Sequence, residues 1–184
     1  MRDVIEIETK RLKLRRVRMS DAPRVAHFLN DPGVGRMLAQ TPLPYLEAAA
    51  EGWIMINRAR APGQHFVLAA EIAGEGVIGC VGAHAQKEGG FEIGYWFGRP
   101  YWGLGYGSEA VGAFVAEARR LGPLAAGHFV DNPASGRLLR KVGFEYTGEV
   151  KRMFSMGRGE SVDAKRMRYL GAGANGPQRE AAFV

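Results

Sequence analysis

The segment FEIGYWFGRPYWGLGYGSEA, residues 91–110, constrains the fold more than any other part of the chain. A strand-like apolar run begins it, and a helical pattern of apolar residues follows it. Its five glycines cost backbone entropy in a regular element, so they indicate a turn or a close approach to the backbone. A strand, a glycine-rich turn and a helix N-terminus together predict anion binding, because unpaired N–H groups and the positive end of the helix dipole point outward together.

The glycine spacing narrows the choice of phosphate-binding loop. Gly103, Gly105 and Gly107 would allow phosphate oxygens to approach the backbone, and Ser108 would add a hydroxyl. The G-x-G-x-G spacing differs from the G-x-G-x-x-G of dinucleotide-binding folds, and no parallel βαβ unit precedes it. No Lys-Ser/Thr pair follows, which argues against a Walker-type P-loop. Taken alone, the loop leaves a tight structural turn as an equal alternative.

Length and composition indicate one globular domain. The chain has 184 residues, of which 46% are hydrophobic and 24% charged, as is usual for globular proteins. We place the domain at residues 1–171 and expect residues 172–184, rich in glycine and alanine, to be a disordered tail. The N-terminus has no apolar signal region and no apolar run is long enough to span a bilayer, so we expect a cytoplasmic protein without a membrane partner.

Cysteine and histidine usage argues against metal and disulfide chemistry. Cys80 is the single cysteine, so it cannot form an internal disulfide or a cysteine-rich metal site. It lies in the apolar run VIGCVG, which predicts a buried, inert thiol. The four histidines lack the spacing of metal ligands, so we expect no metal cofactor.

A positive charge suggests anionic partners. The formal net charge is +6, and the segment KRLKLRRVR, residues 10–18, is strongly basic. Leu12 and Leu14 alternate there with Lys13 and Arg15. We therefore favour a half-buried strand with a solvated basic face over a nucleic-acid-binding stripe.

Strand and helix patterns both occur, so the chain is an α+β or α/β domain. Strand-like runs are IEIETKRLKLRRV, HFVLAAEIA, VIGCVGAHA, FEIGYWF, PLAAGHFV and a C-terminal hairpin. A first helix opens with Ser20 as N-cap and ends at PGVG, and a second covers residues 44–60. SEAVGAFVAEARRLG predicts a third, and NPASGRLLRKVGF predicts a fourth that Asn132 caps and Gly143 ends.

Four of these segments, in order, resemble the GNAT family of acetyl-CoA-dependent N-acetyltransferases. They are ETKRLKLRRVRMSDAPRVAHFLNDP, EIGYWFGRPYWGLGYGSEA, NPASGRLLRKVGF and the last hairpin with Asp163. The nearest branch is the RimJ/RimL type, which includes ribosomal-protein N-terminal acetyltransferases, and the resemblance covers residues 5–171. The family's loop motif, Gln/Arg-x-x-Gly-x-Gly/Ala, falls on Trp102, Gly105 and Gly107, and Trp102 departs from it.

The resemblance implies a three-layer α/β/α fold of the α+β class. Its sheet would be mixed, mostly antiparallel and six- to seven-stranded, with a splayed central strand pair and about four flanking helices. The cosubstrate would be acetyl-CoA, with CoA as product. In this family the pantetheine arm pairs with the strand before the loop, as an added strand would.

The resemblance also assigns cofactor contacts to residues of this chain. Main-chain groups of the strand before the loop would meet the pantetheine arm, and an N–H near Phe97 would bind the developing oxyanion. The pyrophosphate would lie on the loop, Asn132 would contact the cofactor or fix its turn, and Lys141, with Arg137 and Arg140, would reach the 3′-phosphate. The cofactor-binding prediction is Tyr95, Trp96, Phe97, Trp102, Gly103, Leu104, Gly105, Tyr106, Gly107, Ser108, Asn132, Ser135 and Lys141.

Catalytic roles follow from the same resemblance. Ser135 would protonate the leaving thiolate as general acid, unless it only bonds the local backbone. Glu92 would be the base, directly or through water, unless it is an exposed strand residue. Glu109 should point away from the loop, because its carboxylate would repel the pyrophosphate. For His128 we favour a packed imidazole over a residue of the acceptor site.

The implied reaction is acetyl transfer from acetyl-CoA to a primary amine by direct attack in a ternary complex. The acceptor would be a protein N-terminal α-amine, such as that of a ribosomal protein, or a small-molecule amine. Residues 31–60 and 150–163 would wall its cleft. The alternatives are a CoA-binding protein without transferase activity and a basic module associated with nucleic acid or the ribosome; the reaction itself requires no nucleic acid, and a homodimer is left open.

Overall fold

The structure, a computed structural model, describes residues 6–60 and 65–171. Eight strands form one sheet in the order β1-β2-β3-β4-β5-β6-β8-β7, and the only parallel pair described is β5 with β6. The strands are β1 Glu6–Glu8, β2 Lys13–Arg16, β3 His65–Ile72, β4 Gly76–Ala85, β5 Phe91–Phe97, β6 Leu124–Phe129, β7 Phe144–Ser155 and β8 Glu160–Tyr169. The mixed, mostly antiparallel α+β sheet is therefore confirmed, and the tail predicted at residues 172–184 lies outside the described residues.

Within residues 6–60 and 65–171 the sheet has eight strands, where six or seven were predicted. The first predicted strand is divided into β1 and β2 by a turn at residues 9–12, in which the Thr9 N–H donates to the Leu12 carbonyl at 2.9 Å. The Thr9 side chain also accepts from the Leu12 N–H at 2.9 Å. A threonine hydroxyl that bonds the local backbone in this way competes with continuous strand pairing.

Five α-helices flank the sheet in the described residues, one more than the four predicted. They are α1 Ala22–Leu29, α2 Pro32–Gly35, α3 Glu47–Ala59, α4 Tyr106–Ala118 and α5 Pro133–Lys141. The PGVG segment, predicted as a break, forms the single turn α2, because the Asp31 carboxylate accepts from the Gly33 N–H at 2.8 Å and caps it. Ser20 is not the N-cap of α1: it lies in a 3₁₀ turn, and Asp21 has the cap position.

Two apolar clusters on opposite faces of the sheet give the predicted three layers. Residues alternate between the faces, as the pleat requires: Leu68 and Ala70 of β3 pack with α4 and α5, whereas Ala69 packs with α1 and α3. Cys80 is buried in the second cluster, as predicted. None of the described helices has the length and apolar character needed to cross a bilayer.

The basic segment at residues 10–18 is less solvated than predicted. Leu12 and Leu14 are buried as expected, but Arg15 is also buried, and its guanidinium pairs with Asp21 and Glu71. The half-buried Lys13 pairs with Glu6 at 2.6 Å. Alternation alone placed Arg15 in solvent, because it does not reveal that the carboxylates of Asp21 and Glu71 pack against its guanidinium.

The central strands β5 and β6 diverge, as predicted. Their parallel register pairs Phe91 with Leu124 and continues only as far as Ile93 with Ala126. Beyond that point β5 stays paired with β4 as far as Phe97, and β6 pairs with β8 as far as Phe129. The facing edges of β5 and β6 thus separate over the second half of each strand and open a gap in the centre of the sheet.

Candidate active site

A cleft of about 580 Å³ occupies the gap between β5 and β6. The predicted site residues that line it come from β5, from the loop before α4 and from α5. They are Glu92, Tyr95, Trp96, Phe97, Trp102, Gly103, Gly105, Gly107, Ser108, Asn132, Ser135 and Lys141. Leu104 and Tyr106 do not line it: the Leu104 side chain is exposed, and the Tyr106 ring lies under the Arg11 guanidinium.

The glycine-rich loop needs glycine for two different reasons. Gly103 and Gly105 have φ values of +75° and +85°, in the left-handed region that disfavours side chains. Gly107 lies in the first turn of α4, where a Cβ would be 2.8 Å from a methyl carbon of Leu138 on α5. Gly107 therefore allows α4 and α5 to pack closely. The sequence had suggested only that Gly107 lets a phosphate approach the backbone.

The N-terminus of α4 is open toward the cleft. Gly105 is its N-cap and provides no side-chain hydrogen bond to the first-turn N–H groups. Gly105, Gly107 and Ser108 all line the cleft. Uncapped N–H groups and the positive end of the helix dipole attract an anion at this place.

Glu109 faces away from the cleft, as predicted. Its carboxylate accepts from the Thr9 hydroxyl and from the Arg11 backbone N–H, each at 2.7 Å, and pairs with the Arg11 guanidinium. Burial alone would raise the pKa of Glu109, but these hydrogen bonds outweigh it and leave the pKa below its ordinary value. Glu109 therefore stays negative without repelling an anion on the loop.

The register of β5 decides which backbone groups face the gap. The Gly98 N–H donates to the Ile78 carbonyl at 2.9 Å, and a Cβ on Gly79 would be 2.3 Å from the Trp96 carbonyl oxygen. Since backbone groups alternate sides along an antiparallel strand, those of Tyr95 and Phe97 point into the gap, and those of Trp96 point to β4. The prediction that Trp96 offers main-chain groups is therefore wrong; its side chain lines the cleft instead.

Trp102 links the loop to β5. Its indole N–H donates to the Phe97 carbonyl at 2.7 Å. This bond occupies the Phe97 carbonyl and leaves the Phe97 N–H directed at the gap. A glutamine or arginine side chain could donate to the same carbonyl, which is a physical reason why tryptophan can stand at this motif position.

Asn132 and Ser135 begin α5 on the far side of the gap. The Asn132 side-chain oxygen accepts from the Ser135 N–H at 3.2 Å, which confirms the predicted N-cap. The Ser135 hydroxyl lies 2.7 Å from the Tyr95 hydroxyl. Burial raises the pKa of Tyr95 far above its ordinary value, so the phenol keeps its proton. This hydroxyl pair was missed from the sequence, which assigned only a backbone role to Tyr95.

Glu92 is paired with a residue that sequence reasoning missed. Its carboxylate accepts two hydrogen bonds from the Arg166 guanidinium. The bond from Arg166 Nη1 to Glu92 Oε1 is 2.7 Å long, and Nη2 donates to Oε2. Arg166 reaches Glu92 across β6 at Gly127, where a Cβ would be 2.6 Å from Arg166 Nη1. The hydrogen bond to Glu92 raises the pKa of Arg166. Both carboxylate oxygens of Glu92 therefore already have a hydrogen-bond donor within the fold.

His128 lies in the cleft wall as a packed, hydrogen-bonded imidazole. It is buried, with Nδ1 2.8 Å from the Phe129 carbonyl and Nε2 2.9 Å from the Tyr146 hydroxyl. A carbonyl only accepts, so Nδ1 carries a proton, and in the neutral ring Nε2 accepts from Tyr146. Both ring nitrogens therefore have partners inside the fold.

The cationic side chains of α5 lie at one end of the cleft. Arg137 and Lys141 line it, whereas Arg140 does not. In the described part of the chain, no three histidine, cysteine, aspartate or glutamate side chains come together as metal ligands would.

The opposite end of the cleft is apolar and walled by the two predicted segments. Val34, Met37 and Leu38 line it on one side and Met153 of β7 on the other. Not every large side chain of residues 31–60 reaches this wall. Tyr45 and Trp53 pack with the apolar cluster between the sheet and helices α1 and α3, and Met55 is exposed on α3.

The tip of the β7–β8 hairpin is hydrogen-bonded to the chain that follows α2. The Met156 N–H donates to the Ala39 carbonyl at 2.9 Å. Arg158 donates to both Asp131 oxygens, at 2.9 and 3.0 Å, and Arg36 donates to Asp131 at 2.7 Å. These bonds, the Arg158 contact foremost, hold the pKa of Asp131 below its ordinary value. The hairpin thereby closes one side of the apolar end.

Comparison with known proteins agrees with this geometry. The model of the acetyltransferase (GNAT) domain matches residues 11–145. An uncharacterised N-acetyltransferase, p20, from Bacillus licheniformis is 31% identical over 162 residues, covering 84% of this chain and 90% of the relative.

Solved structures share the fold at lower identity. A GNAT-family acetyltransferase from Bacillus anthracis is 22% identical with a TM-score of 0.76, over 90% of this chain and 98% of that one. RimL, described as a ribosomal L7/L12 α-N-protein acetyltransferase in complex with coenzyme A, is 19% identical with a TM-score of 0.76, over 89% and 96%. The splayed strands, the open helix N-terminus and these matches lead to one conclusion: the chain belongs to the GNAT family and is an acetyl-CoA-dependent acetyltransferase.

Proposed function

We propose that this acetyltransferase modifies a primary amine, with a protein N-terminal α-amine as the preferred acceptor. The observation that supports this most is the continuous cleft, which joins the open N-terminus of α4 to the separated edges of β5 and β6 and then to an apolar end. Acetyl-CoA supplies the activated acetyl thioester when bound. The residues of the chain bind it, orient the acceptor and move protons.

The cleft fits each part of CoA. The uncapped α4 N-terminus and the glycines at 103, 105 and 107 suit the pyrophosphate. The Tyr95 backbone groups and the Phe97 N–H, which face the gap, suit the amide-rich pantetheine arm, which would pair as an added strand. Lys141 and Arg137 at the cleft end suit the 3′-phosphate.

Ser135, supported by Tyr95, is our candidate for proton delivery to the leaving thiolate. The two hydroxyls lie 2.7 Å apart across the gap, where the thioester end of the pantetheine arm would lie. Because the phenol of Tyr95 stays protonated, it can donate to Ser135 while Ser135 donates onward.

Glu92 remains our candidate base, acting through water. Its carboxylate lines the cleft and is paired with Arg166, so a water bound to it would carry the proton from the acceptor amine. An α-amine has an ordinary pKa near 8, against about 10.4 for a lysine side chain. An α-amine therefore needs less help from a base than a lysine side chain does, in keeping with the name of the RimL relative.

Direct transfer in a ternary complex is supported by the position of Cys80. Its thiol is buried in the cluster below α1 and α3, and burial raises its pKa far above the ordinary value. A covalent acetyl-cysteine route would need a thiolate in the cleft, and Cys80 does not line it.

The nucleic-acid alternative has little support from the basic segment. Arg11, Lys13 and Arg15 each pair with carboxylates of this chain, so their charges are largely neutralised. A nucleic-acid site would need these cations to face phosphates. The alternative of a CoA-binding protein without activity is addressed by the assay below.

The test is turnover of acetyl-CoA with an acceptor panel. Peptides with free N-termini, the same peptides with blocked N-termini and one lysine, a polyamine and single amino acids are compared by thiol release and product mass. We expect free N-termini to be the best acceptors. Turnover only of lysine side chains or polyamines would contradict the α-amine proposal, and no turnover with intact CoA binding would favour the inactive CoA-binding protein.

Two variants test the catalytic assignments. Ser135→Ala should lower kcat by roughly 10²-fold, the usual scale of lost acid catalysis, while CoA binding is retained. Glu92→Gln should lower kcat most at low pH, where less free amine is present. Ser20→Ala, at an exposed position that does not line the cleft, is the matched control and should leave kcat unchanged.

A further inference from the structure

We infer that Arg11, in the turn between β1 and β2, is a positioning residue that holds the loop before α4 in its pyrophosphate-binding conformation. The inference rests on the proposed function, in which residues 103–108 bind the pyrophosphate of acetyl-CoA. Arg11 does not line the cleft. It would therefore act through the loop and not by contact with the ligand.

The Arg11 side chain touches the loop and the start of α4 at several points. Its Nη1 donates to the Leu104 carbonyl at 3.0 Å, and its Nε donates to Glu109 Oε2 at 2.7 Å. The guanidinium carbon lies 4.1 Å from the centre of the Tyr106 ring. Arg11 thus contacts the loop on both sides of Gly105.

These contacts fix the direction of one loop peptide. In a trans peptide the carbonyl and the following N–H point in opposite directions. Because the Leu104 carbonyl is bonded to Arg11, the Gly105 N–H points away from Arg11. Gly105 lines the cleft, so its N–H is directed to the side where the pyrophosphate would bind.

The loop needs such a support because of its own composition. Gly103 and Gly105 both adopt positive φ values, and glycine has access to many other backbone conformations at similar energy. An unsupported loop would have to be ordered when the ligand binds, and that ordering would weaken the affinity. The planar guanidinium of Arg11 donates to two groups at once and can therefore hold the loop before the ligand binds.

Arg11 is itself held by a rigid turn. Its backbone N–H and the Thr9 hydroxyl both donate to Glu109 Oε1 at 2.7 Å, and Thr9 closes the turn by its bonds to Leu12. The β1–β2 turn is therefore docked on the first turn of α4 as a unit. The side chain of Arg11 is 39% exposed, so a direct charge effect on the ligand would be screened by solvent.

The experiment compares ligands with and without the pyrophosphate. Dissociation constants of CoA and 3′-dephospho-CoA are measured by calorimetry, and that of pantetheine by quenching of tryptophan fluorescence. For Arg11→Ala we expect the constants of CoA and dephospho-CoA to rise about tenfold, as lost preorganisation predicts, and that of pantetheine to change less than about twofold. Lysine keeps the positive charge but lacks the planar guanidinium with its several N–H donors, so Arg11→Lys should behave like Arg11→Ala.

Arg120→Ala is the matched control, because Arg120 forms a comparable exposed ion pair with Glu117 near the other end of α4. It should leave all three constants unchanged. Unchanged CoA binding in Arg11→Ala, an equal weakening of CoA and pantetheine, or full rescue by lysine would overturn the inference. If the wild-type protein does not bind CoA, the proposed function fails instead, so the two failures are distinct.

Discussion

Replacing Asp21 by asparagine should destabilise the protein strongly without changing the active site. Arg15 and Asp21 are 5% and 6% exposed. The Arg15 guanidinium donates to both Asp21 oxygens, at 2.8 and 2.9 Å. The Asp21 carboxylate also accepts from the Arg18 N–H at 2.7 Å. Asparagine has the same shape but no charge, so Arg15 would lose its fully buried counter-ion.

The expected cost follows from the burial of the pair. Removing one partner of a buried ion pair lowers the free energy of unfolding by about 3–5 kcal/mol, because the remaining charge stays buried without a counter-ion. Glu71, which also pairs with Arg15, is 26% exposed and compensates in part. Asparagine also keeps one acceptor oxygen, so we expect a loss of about 3 kcal/mol, at the low end of that range. For a domain of this size the midpoint of thermal unfolding would fall by about 6–12 °C.

Urea denaturation followed by tryptophan fluorescence measures this loss, and calorimetry checks that CoA binding at 25 °C is unchanged, since Asp21 does not line the cleft. Arg120→Ala, which breaks an exposed pair, should change stability little. Adding Arg15→Met to Asp21→Asn should recover part of the loss, because the buried charge is then removed. A loss for Asp21→Asn no larger than that of Arg120→Ala would refute the reasoning.

Three further outcomes are expected. Gly79→Ala should lower the free energy of unfolding by about 2 kcal/mol, because its Cβ would be 2.3 Å from the Trp96 carbonyl oxygen; a neutral effect in urea denaturation would contradict this. The pKa of Asp131 is lowered below 3.8 by Arg158, so its stabilisation is present above that pH and is lost as the pH falls through the folded-state pKa; unfolding curves of Asp131→Asn should therefore depend less on pH between about 5 and 3 than those of the wild type. Cys80 should resist iodoacetamide in the native state and react only after unfolding, because burial raises its pKa, and mass spectrometry would detect any native labelling.

Much of the fold could be predicted because its signals are local. The run FEIGYWF forms β5, and the cap and stop residues around α5 lie where Asn132 and Gly143 indicated. Helix α4 begins at Tyr106, two residues before the predicted start, because Gly105 with its positive φ takes the cap position. Glycine, proline and asparagine act on the nearest few residues, so their effects can be read without the tertiary structure.

Errors arose where residues outside the local pattern decided the contacts of a side chain or backbone group. Alternation placed Arg15 on a solvated face, yet a buried aspartate and a glutamate from β3 pair with it. The predicted backbone role of Trp96 was wrong because the β4–β5 register turns its carbonyl toward Gly79. Register depends on how two strands pair, and a shift of one residue exchanges the two sides.

The sequence by itself determined the α+β class, the glycine-rich loop before α4 and the family to which the chain belongs, since these rest on short-range patterns and on their order. Only the tertiary structure decided which side chains meet in the cleft. Tyr95 and Ser135 are 40 residues apart, Glu92 and Arg166 are 74, and Arg11 and Leu104 are 93. These pairs form because the sheet order and the divergence of β5 from β6 bring their elements together, and no local spacing encodes that arrangement.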